Sequence, residues 1–239
     1  MYFIITYIIT MTVDNKVFRS KVIKALRALR HISVGQAIRL QVQASALIIQ
    51  QPLGGNRIKL IAGVDVSVKG GMVRAAIVTM NMDGFEIVET QTAQRRLEFP
   101  YIPGLLAFRE APVLMQAFRK LRSVPDVALV DGHGLCHPRL FGLACHMGLA
   151  WDIPTIGVAK SRLVGAGPEP GEQKGAWAPL EFQGQVVARV LRSRERVKPI
   201  FISVGHRVDL PTAMEVVLRS LTRYRLPEPI RAAHKAAAL

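Results

Sequence analysis

The chain has 239 residues, half of them hydrophobic and 21% charged, so one large domain with a real core is expected and global disorder is excluded. Its 32 Lys and Arg against 17 Asp and Glu give a net charge of +15, which favours nucleic acid or an anionic membrane as partner. Two cysteines, Cys136 and Cys145, exclude a disulfide framework and indicate a reducing compartment, so we expect a cytoplasmic protein.

The apolar run at residues 1–13 is shorter than the ~20 residues that span a bilayer, and it lacks the features of a signal peptide. We therefore expect no membrane contact and assign residues 1–57 to an N-terminal extension in front of a globular domain over 58–239. Residues 16–30 carry six basic and no acidic side chains at helical spacing. They predict an amphipathic helix whose basic face is either a solvated surface or a contact for phosphates.

Three β-rich runs with hairpin-like joints predict consecutive antiparallel strands over 61–68, 73–80 and 85–92. Helical patterning after Gly104 extends to Leu121, with a break near Glu110 because a new helix should begin at Pro112. The remaining predicted elements are strands over 127–130, 155–158, 186–192 and 200–204, helices over 138–149 and 211–224, and a surface loop over 165–175. This order predicts a mixed α/β sheet flanked by helices.

Three carboxylates stand out along these elements. Asp131 ends an apolar strand, at the edge where open α/β sheets bind ligands. Glu110 precedes the expected helix start at Pro112, where the helix dipole accounts for an acid and a metal is also within reach. Asp65 lies inside a strand, and alternation alone favours a solvent-facing side chain. Acids on separate elements of a basic protein are what a magnesium-dependent phosphodiesterase requires, because a cation bridges them to the phosphate.

A second metal hypothesis uses His133, Cys136, His137, Cys145 and His146, which are ligand types that zinc accepts. Their spacing matches no common zinc motif, and adjacent residues on a helix point about 100° apart. Buried packing residues are the alternative for both cysteines.

The segment 99–104 (FPYIPG) holds Tyr101 and Ile102 on a loop stiffened by Pro100 and Pro103. Such a loop either caps the core or acts as a wedge that enters a base stack. Further along, the basic run 186–207 predicts an edge that grips phosphates through Arg192, Arg194 and Arg196, with His206 as a candidate for proton transfer or phosphate contact.

Five segments together resemble the endonuclease V family: GVDVS at 63–67, PYIPGLLAFRE at 100–110, LVDGHGLCHPR at 129–139, IGVAKSRL at 156–163 and VKPIFISVGHR at 197–207. The resemblance covers roughly residues 58 to 230. It implies a ribonuclease H-like fold and a magnesium-dependent DNA repair endonuclease, with manganese as a substitute ion. Separately, we expect a monomer. Its substrate would be DNA with deaminated purines, chiefly deoxyinosine. The cut would fall at the second phosphodiester bond 3′ to the lesion and leave a 3′-hydroxyl and a 5′-phosphate.

By the same resemblance, Asp65, Asp131 and Glu110 would form the metal-binding acidic set, Lys160 would lie near the scissile phosphate and His206 would assist nearby. Tyr101 would be the wedge, and Gly104, Gly132 and Gly134 would let the backbone approach the everted base. The remaining residues expected to contact the lesion or the DNA are Pro100, Ile102, Pro103, Arg109, His137 and Arg139. Two alternatives stay open: an endoribonuclease acting on inosine in RNA, and a non-catalytic basic nucleic-acid-binding module.

Overall fold

The computed structural model describes residues 16–28, 32–54 and 58–238. The expectations for residues 1–13 therefore lie outside the described residues. None of the helices in these ranges is long and apolar enough to cross a membrane.

Eight strands form one sheet in the order β3-β2-β1-β4-β5-β8-β7-β6. The strands are β1 Leu60–Lys69, β2 Met72–Asn81, β3 Ile87–Arg96, β4 Val127–Val130, β5 Thr155–Ala159, β6 Trp177–Phe182, β7 Gln185–Leu191 and β8 Ile200–His206. The first three strands pair antiparallel, β1, β4 and β5 pair parallel, and β8, β7 and β6 follow antiparallel. The predicted mixed sheet, with its opening antiparallel strands, is confirmed.

Helices pack against this sheet. Residues 16–28 are helical and are called α1; the others are α2 Val34–Ser45, α3 Leu106–Phe118, α4 Leu143–Trp151, α5 Leu210–Arg219 and α6 Glu228–Ala237. Val22 and Leu26 of α1 and Leu40 of α2 are buried in the same apolar cluster as strand residues such as Ile61. The predicted helix at 16–30 is thus confirmed over its described part.

The strand β1 separates two apolar clusters. Ile61 packs in the cluster that contains Ile230 of α6, whereas Ala62 and Val64 pack in the cluster that contains residues of α3. Because side chains alternate along a strand, Asp65 is on the same side as Ile61 and therefore faces α6. The alternation along β1 therefore determines on which face of the sheet Asp65 lies.

The helix α3 corrects one prediction. It continues through Pro112, which lies inside it, so no helix break occurs near Glu110. An interior proline removes one backbone hydrogen bond and costs about 3 kcal/mol. Seven buried apolar residues of α3 offset this cost by packing: Ala107, Phe108, Ala111, Val113, Leu114, Met115 and Ala117.

Other boundaries also differ from the predictions. The helix expected over 138–149 begins only at Leu143, because the backbone is still extended at its N-cap Gly142. A Cβ at Gly142 would lie 2.3 Å from the carbonyl oxygen of His133. The helix expected over 211–224 ends at Arg219. The strand β6 and the helix α6 were not predicted. Pro179 lies inside β6, and a proline argues against a strand when only the sequence is considered. It is tolerated because β6 is at the edge of the sheet.

Candidate active site

Two aspartates lie side by side on neighbouring strands. Val64 of β1 is directly opposite Val130 of β4 in the parallel pair, so the next residues, Asp65 and Asp131, are neighbours at the carboxyl end of β4. Asp65 is only 8% exposed, and its Oδ1 accepts a hydrogen bond from the backbone N–H of Val66 at 2.8 Å. The interpretation of Asp65 as a solvent-facing residue is therefore wrong.

Glu110 brings a third carboxylate from α3. Burial raises its pKa from 4.5 to about 8, and the charges of Asp65 and Asp131 add to this rise. Burial also raises the pKa of Asp131, again with a contribution from Asp65, whereas the nearby Lys160 lowers it. Glu110 and Asp131 are thus buried beside other carboxylates, as expected where acids are held together for a function.

Lys160 follows β5 directly, so it reaches the same edge of the sheet as Asp131. Its Nζ donates a hydrogen bond to Asp131 Oδ2 at 2.5 Å. Arg225 fixes the backbone at Lys160, because its guanidinium donates hydrogen bonds to the backbone carbonyls of Lys160 at 2.7 Å and of Pro199 at 2.8 Å. The structure therefore brings the lysine and the acids together.

His234 of α6 joins this group and was missed from the sequence. Its Nδ1 lies 2.7 Å from Asp65 Oδ2. The sequence does indicate the helix that carries His234, because Pro227 and Pro229 mark a helix start. Ile230 and Ala233 then follow at helical spacing, which places His234 at the margin of the buried face of that helix.

Asp65, Asp131 and His234 could hold a metal ion, because one ligand atom from each lies within 4.8 Å of the others. Carboxylate oxygens suit Mg²⁺ and Mn²⁺, and imidazole is a common ligand of transition metals. The raised pKa values of Glu110 and Asp131 show that these buried acids resist ionisation when no cation is bound. A divalent cation would reduce the repulsion between the carboxylates and so favour their ionised forms. The residues therefore fit a divalent metal.

The alternative zinc cluster does not form. Cys145 Sγ donates to the carbonyl of Val204, and His146 Nε2 hydrogen-bonds to the carbonyl of Leu26. Across the part of the chain that the structure describes, the one group with metal-ligand geometry is that of the two aspartates and His234. The cysteines are free and buried, in agreement with the packing alternative.

The loop 99–104 presents one residue and buries another. Tyr101 is 68% exposed, with the guanidinium of Arg109 at 5.8 Å from its ring centroid. Ile102 is partly buried and packs on the core. The interpretation of the loop as a core cap thus holds for Ile102 and fails for Tyr101.

The carbonyl of Gly104 anchors this loop. It accepts hydrogen bonds from Gln41 Nε2 at 3.0 Å, His137 Nε2 at 3.0 Å and a terminal nitrogen of Arg139 at 2.6 Å. Gly104 has a φ of +78°, which favours glycine. Burial lowers the pKa of His137 to about 4, with Arg139 contributing, so its ring is neutral and can donate through Nε2 alone. Gln41 is a second residue that sequence reasoning missed.

The two other glycines differ in role. A Cβ on Gly134 would lie 1.9 Å from the carbonyl oxygen of Val204, so the absence of a side chain permits close packing against β8, and the approach of Gly134 to a base stays a prediction. Gly132 follows Asp131 and is half-buried at the edge of the acidic group. Beside it, burial lowers the pKa of His133 to about 4, and its Nε2 hydrogen-bonds to the carbonyl of Ser161 at 3.0 Å.

His206 is at the opposite end of the sheet from the acids. It pairs with Thr155 at the start of β5, whereas Lys160 follows the end of that strand. Four residues of strand separate the ends of β5 by about 13 Å. His206 is fully buried, and burial together with Arg207 lowers its pKa to about 4. The expectation that His206 assists the acids is therefore wrong.

The basic edge also needs a correction. The guanidinium of Arg192 donates to the carbonyls of Gly171, Val197 and Pro170, so it fastens the loop 165–175 and is not free for phosphates. Arg194 and Arg196 line a shallow cavity with Lys174 and remain candidates for phosphate contact.

This mixed sheet, with clustered carboxylates at the carboxyl end of a central strand, defines a ribonuclease H-like nuclease. The family model of endonuclease V matches residues 32–235, and the chain belongs to the endonuclease V family. It is 43% identical to endonuclease V of Trichormus variabilis, with 86% of this chain and 94% of the relative covered.

Solved structures agree. Endonuclease V of Streptomyces avermitilis superposes with a TM-score of 0.80 at 38% identity, covering 86% of this chain and 91% of that one. Endonuclease V of Ciona intestinalis, in complex with a 23mer DNA containing an inosine followed by a ribo-adenosine, superposes with a TM-score of 0.76 at 30% identity, covering 86% and 97%. The chain is accordingly an endonuclease, and the alternative of a non-catalytic binding module is wrong.

Proposed function

We propose that this protein is a magnesium-dependent DNA repair endonuclease that recognises deaminated purines, deoxyinosine above all. It nicks the strand at the second phosphodiester bond 3′ to the lesion and leaves a 3′-hydroxyl and a 5′-phosphate. The observation that carries the proposal is the convergence of Asp65, Asp131 and Glu110, two of them with raised pKa values, beside His234. The inosine-containing DNA bound by the Ciona relative supports the choice of substrate.

Asp65, Asp131 and His234 would hold the divalent cation, with Glu110 as the fourth member of the set. When bound, the cation lowers the pKa of water and neutralises charge on the scissile phosphate. Manganese would substitute for magnesium, because it accepts the same carboxylate ligands and the imidazole of His234.

Lys160 supplies a positive charge at this edge of the sheet. Its ammonium is 2.5 Å from Asp131 in the protein alone, and its side chain is 41% exposed. It is therefore accessible to a phosphate that arrives at the acids, and it would orient that phosphate and offset charge that develops on it.

Tyr101 would act as the wedge at the lesion. A deaminated base pairs weakly, so its extrusion costs less than the few kcal/mol of a normal base. The exposed ring would fill the vacated space, and its loop is already held by Pro100, by Pro103 and by the three hydrogen bonds on the Gly104 carbonyl. Arg109, beside the ring, and Gly132, beside Asp131, would contact the DNA, while His137, Arg139 and Ile102 would position the loop.

The partner and the compartment follow from charge and cysteine chemistry. A net charge of +15 supports binding of DNA through backbone contacts, and we propose that the protein acts as a monomer. The two cysteines are free and buried, which supports our proposal that the protein acts in the reducing environment of the cytoplasm.

The test is a nicking assay on two DNA duplexes that differ in one base and on an RNA strand that contains inosine. A 5′-labelled DNA duplex with one deoxyinosine is compared with the same duplex carrying deoxyadenosine and with an RNA strand carrying inosine. We expect Mg²⁺-dependent cleavage of the deoxyinosine strand alone, with the product end mapped to the second bond 3′ to the lesion. Preferential cleavage of the RNA would favour the endoribonuclease alternative and overturn the proposal.

A further inference from the structure

A basic cleft lies between α1 and α3, away from the acids. It has a volume of about 990 Å³ and is lined by α1, by Pro112 and Met115 of α3, and by residues at the ends of α4 and β8. The match to the family model begins at residue 32, so all of α1 lies outside it. The cleft is thus built on a helix to which the proposed function assigns no role.

The lining of the cleft is strongly cationic, with seven Lys or Arg side chains and a single acid, Asp152. The helix α1 contributes four of the cations: Lys16, Arg19, Lys24 and Arg27. The acid is already paired, since Asp152 Oδ1 lies 3.5 Å from Arg19 and 2.9 Å from Arg207. A large positive excess remains.

Two of the cations on α1 are available to bind a ligand. Arg27 is engaged in the fold, because its Nε donates to the carbonyl of Ala150 at 2.7 Å. Lys16 and Lys24 are exposed, and within residues 16–28, 32–54 and 58–238 neither has an acidic partner. Arg95 is paired with Glu98, but cations still outnumber acids in the cleft, and a concave surface with such an excess of positive charge concentrates an anionic ligand.

The cleft is separate from the acidic site. Asp152 and Arg207 are next to the ends of strands at the amino-terminal end of β5, and Lys160 follows its carboxyl end, which places them about 13 Å or more apart. A ligand in the cleft would therefore not compete with a phosphate at Asp131.

We infer that this cleft is a second binding site for the phosphodiester backbone of a nucleic acid, independent of the lesion. Lys16 and Lys24 are eight residues apart, about 12 Å along a helix. One DNA strand presents three to four phosphates over about that length. The choice of nucleic acid as ligand rests on the proposed function, which already supplies DNA as the partner. The site would hold undamaged DNA and keep the enzyme on the duplex.

The test compares two double variants with the same change in charge. Lys16→Gln/Lys24→Gln removes two lysines of the cleft, and Lys21→Gln/Lys59→Gln removes two exposed lysines that do not line it. Affinity for an undamaged duplex is measured over a salt series, with melting temperatures as a check of folding. Lys24→Gln against Lys21→Gln repeats the comparison with single changes on the same helix.

For the cleft variant we expect the slope of log K against log salt to become shallower by about 1 to 2, since each phosphate contact contributes about 0.9. This corresponds to an affinity about 8- to 60-fold lower at 0.1 M salt. The control variant should stay within a factor of two or so of the unchanged protein.

An equal effect of both variants, or none of the cleft variant, would overturn the inference. If the cleft variant loses binding to phosphatidylserine vesicles while its DNA binding is unchanged, the ligand is a membrane and the inference is again overturned. The readout needs no cleavage, so it is distinct from a failure of the proposed function, which would appear as absent nicking by the unchanged protein.

Discussion

At the scale of single residues, the pKa values of Glu110 and Asp131 are raised first by burial and then by repulsion from neighbouring acids. The pKa of Glu110 is raised to about 8, because its side chain is only 9% exposed and because Asp65 and Asp131 are close enough to add to the rise. A carboxyl with a raised pKa binds its proton more tightly in the native state than in the unfolded chain. Its contribution to stability is therefore complete below about pH 4.5 and is lost as the pH rises through about 8.

Glu110→Gln should remove this dependence on pH. In the absence of divalent cations, the free energy of unfolding of the variant should gain on that of the unchanged protein between pH 5 and pH 8, because one pKa unit corresponds to about 1.4 kcal/mol. Denaturant titrations at several pH values measure this, with Glu86→Gln as an exposed control. Parallel curves for Glu110→Gln and the unchanged protein would show that Glu110 does not carry the raised pKa.

His234→Ala tests the residue that sequence reasoning missed. The side chain contacts Asp65 at 2.7 Å, so its loss should weaken the metal site without altering the core. We expect the Mg²⁺ concentration for half-maximal nicking to rise by at least about 10- to 100-fold, because loss of a group that merely orients a metal ligand already has an effect of that size. Lys235→Ala, the next residue on α6, is the control. An unchanged Mg²⁺ requirement in His234→Ala would remove His234 from the site.

At the scale of elements, the sequence predicts those whose apolar pattern is decided locally. The strand over 127–130 and the first three strands follow from β-branched runs and glycine-rich joints. Pro112, by contrast, looks like a helix start, and only the packing of α3 around it shows otherwise. The same holds for β6, where the tolerance of Pro179 depends on an edge position that appears only once the sheet is assembled.

The candidate site shows the same division between local and tertiary information. Asp131 could be predicted from its place after an apolar strand, and Asp65 and Glu110 were identified by residue type and resemblance. The contact of His234 with Asp65 joins residues 169 positions apart, and no local pattern reports it. His206 was misassigned because the direction of β8 in the sheet, which puts it at the far end, is also tertiary information.

Tyr101→Ala tests the anchored loop as an element. Stacking of a base on an aromatic ring is worth about 1–3 kcal/mol, so affinity for inosine-containing duplex should fall roughly 5- to 150-fold. The melting temperature should change little, because the ring is mostly exposed. Tyr101→Phe, which keeps the ring, should bind almost normally. Reduced stability with unchanged lesion affinity would instead assign Tyr101 to the core.

At the scale of the whole molecule, acidic and basic side chains are segregated. Acids gather beside the carboxyl end of β4, within a chain whose net charge is +15, and cations line a separate cleft beside α1. This arrangement suits an enzyme that holds a polyanion broadly and admits it to a cation-dependent site at one place.

The most direct test of the central claim is metal-dependent nicking by the unchanged protein and by Asp131→Asn, on the same deoxyinosine duplex. Asp83→Asn, at an exposed turn between β2 and β3, is the control for loss of one carboxylate. We expect nicking by the unchanged protein and by Asp83→Asn with Mg²⁺, and no nicking by Asp131→Asn or by any of the three with chelator. Near-normal nicking by Asp131→Asn, or nicking that survives chelation, would contradict the account.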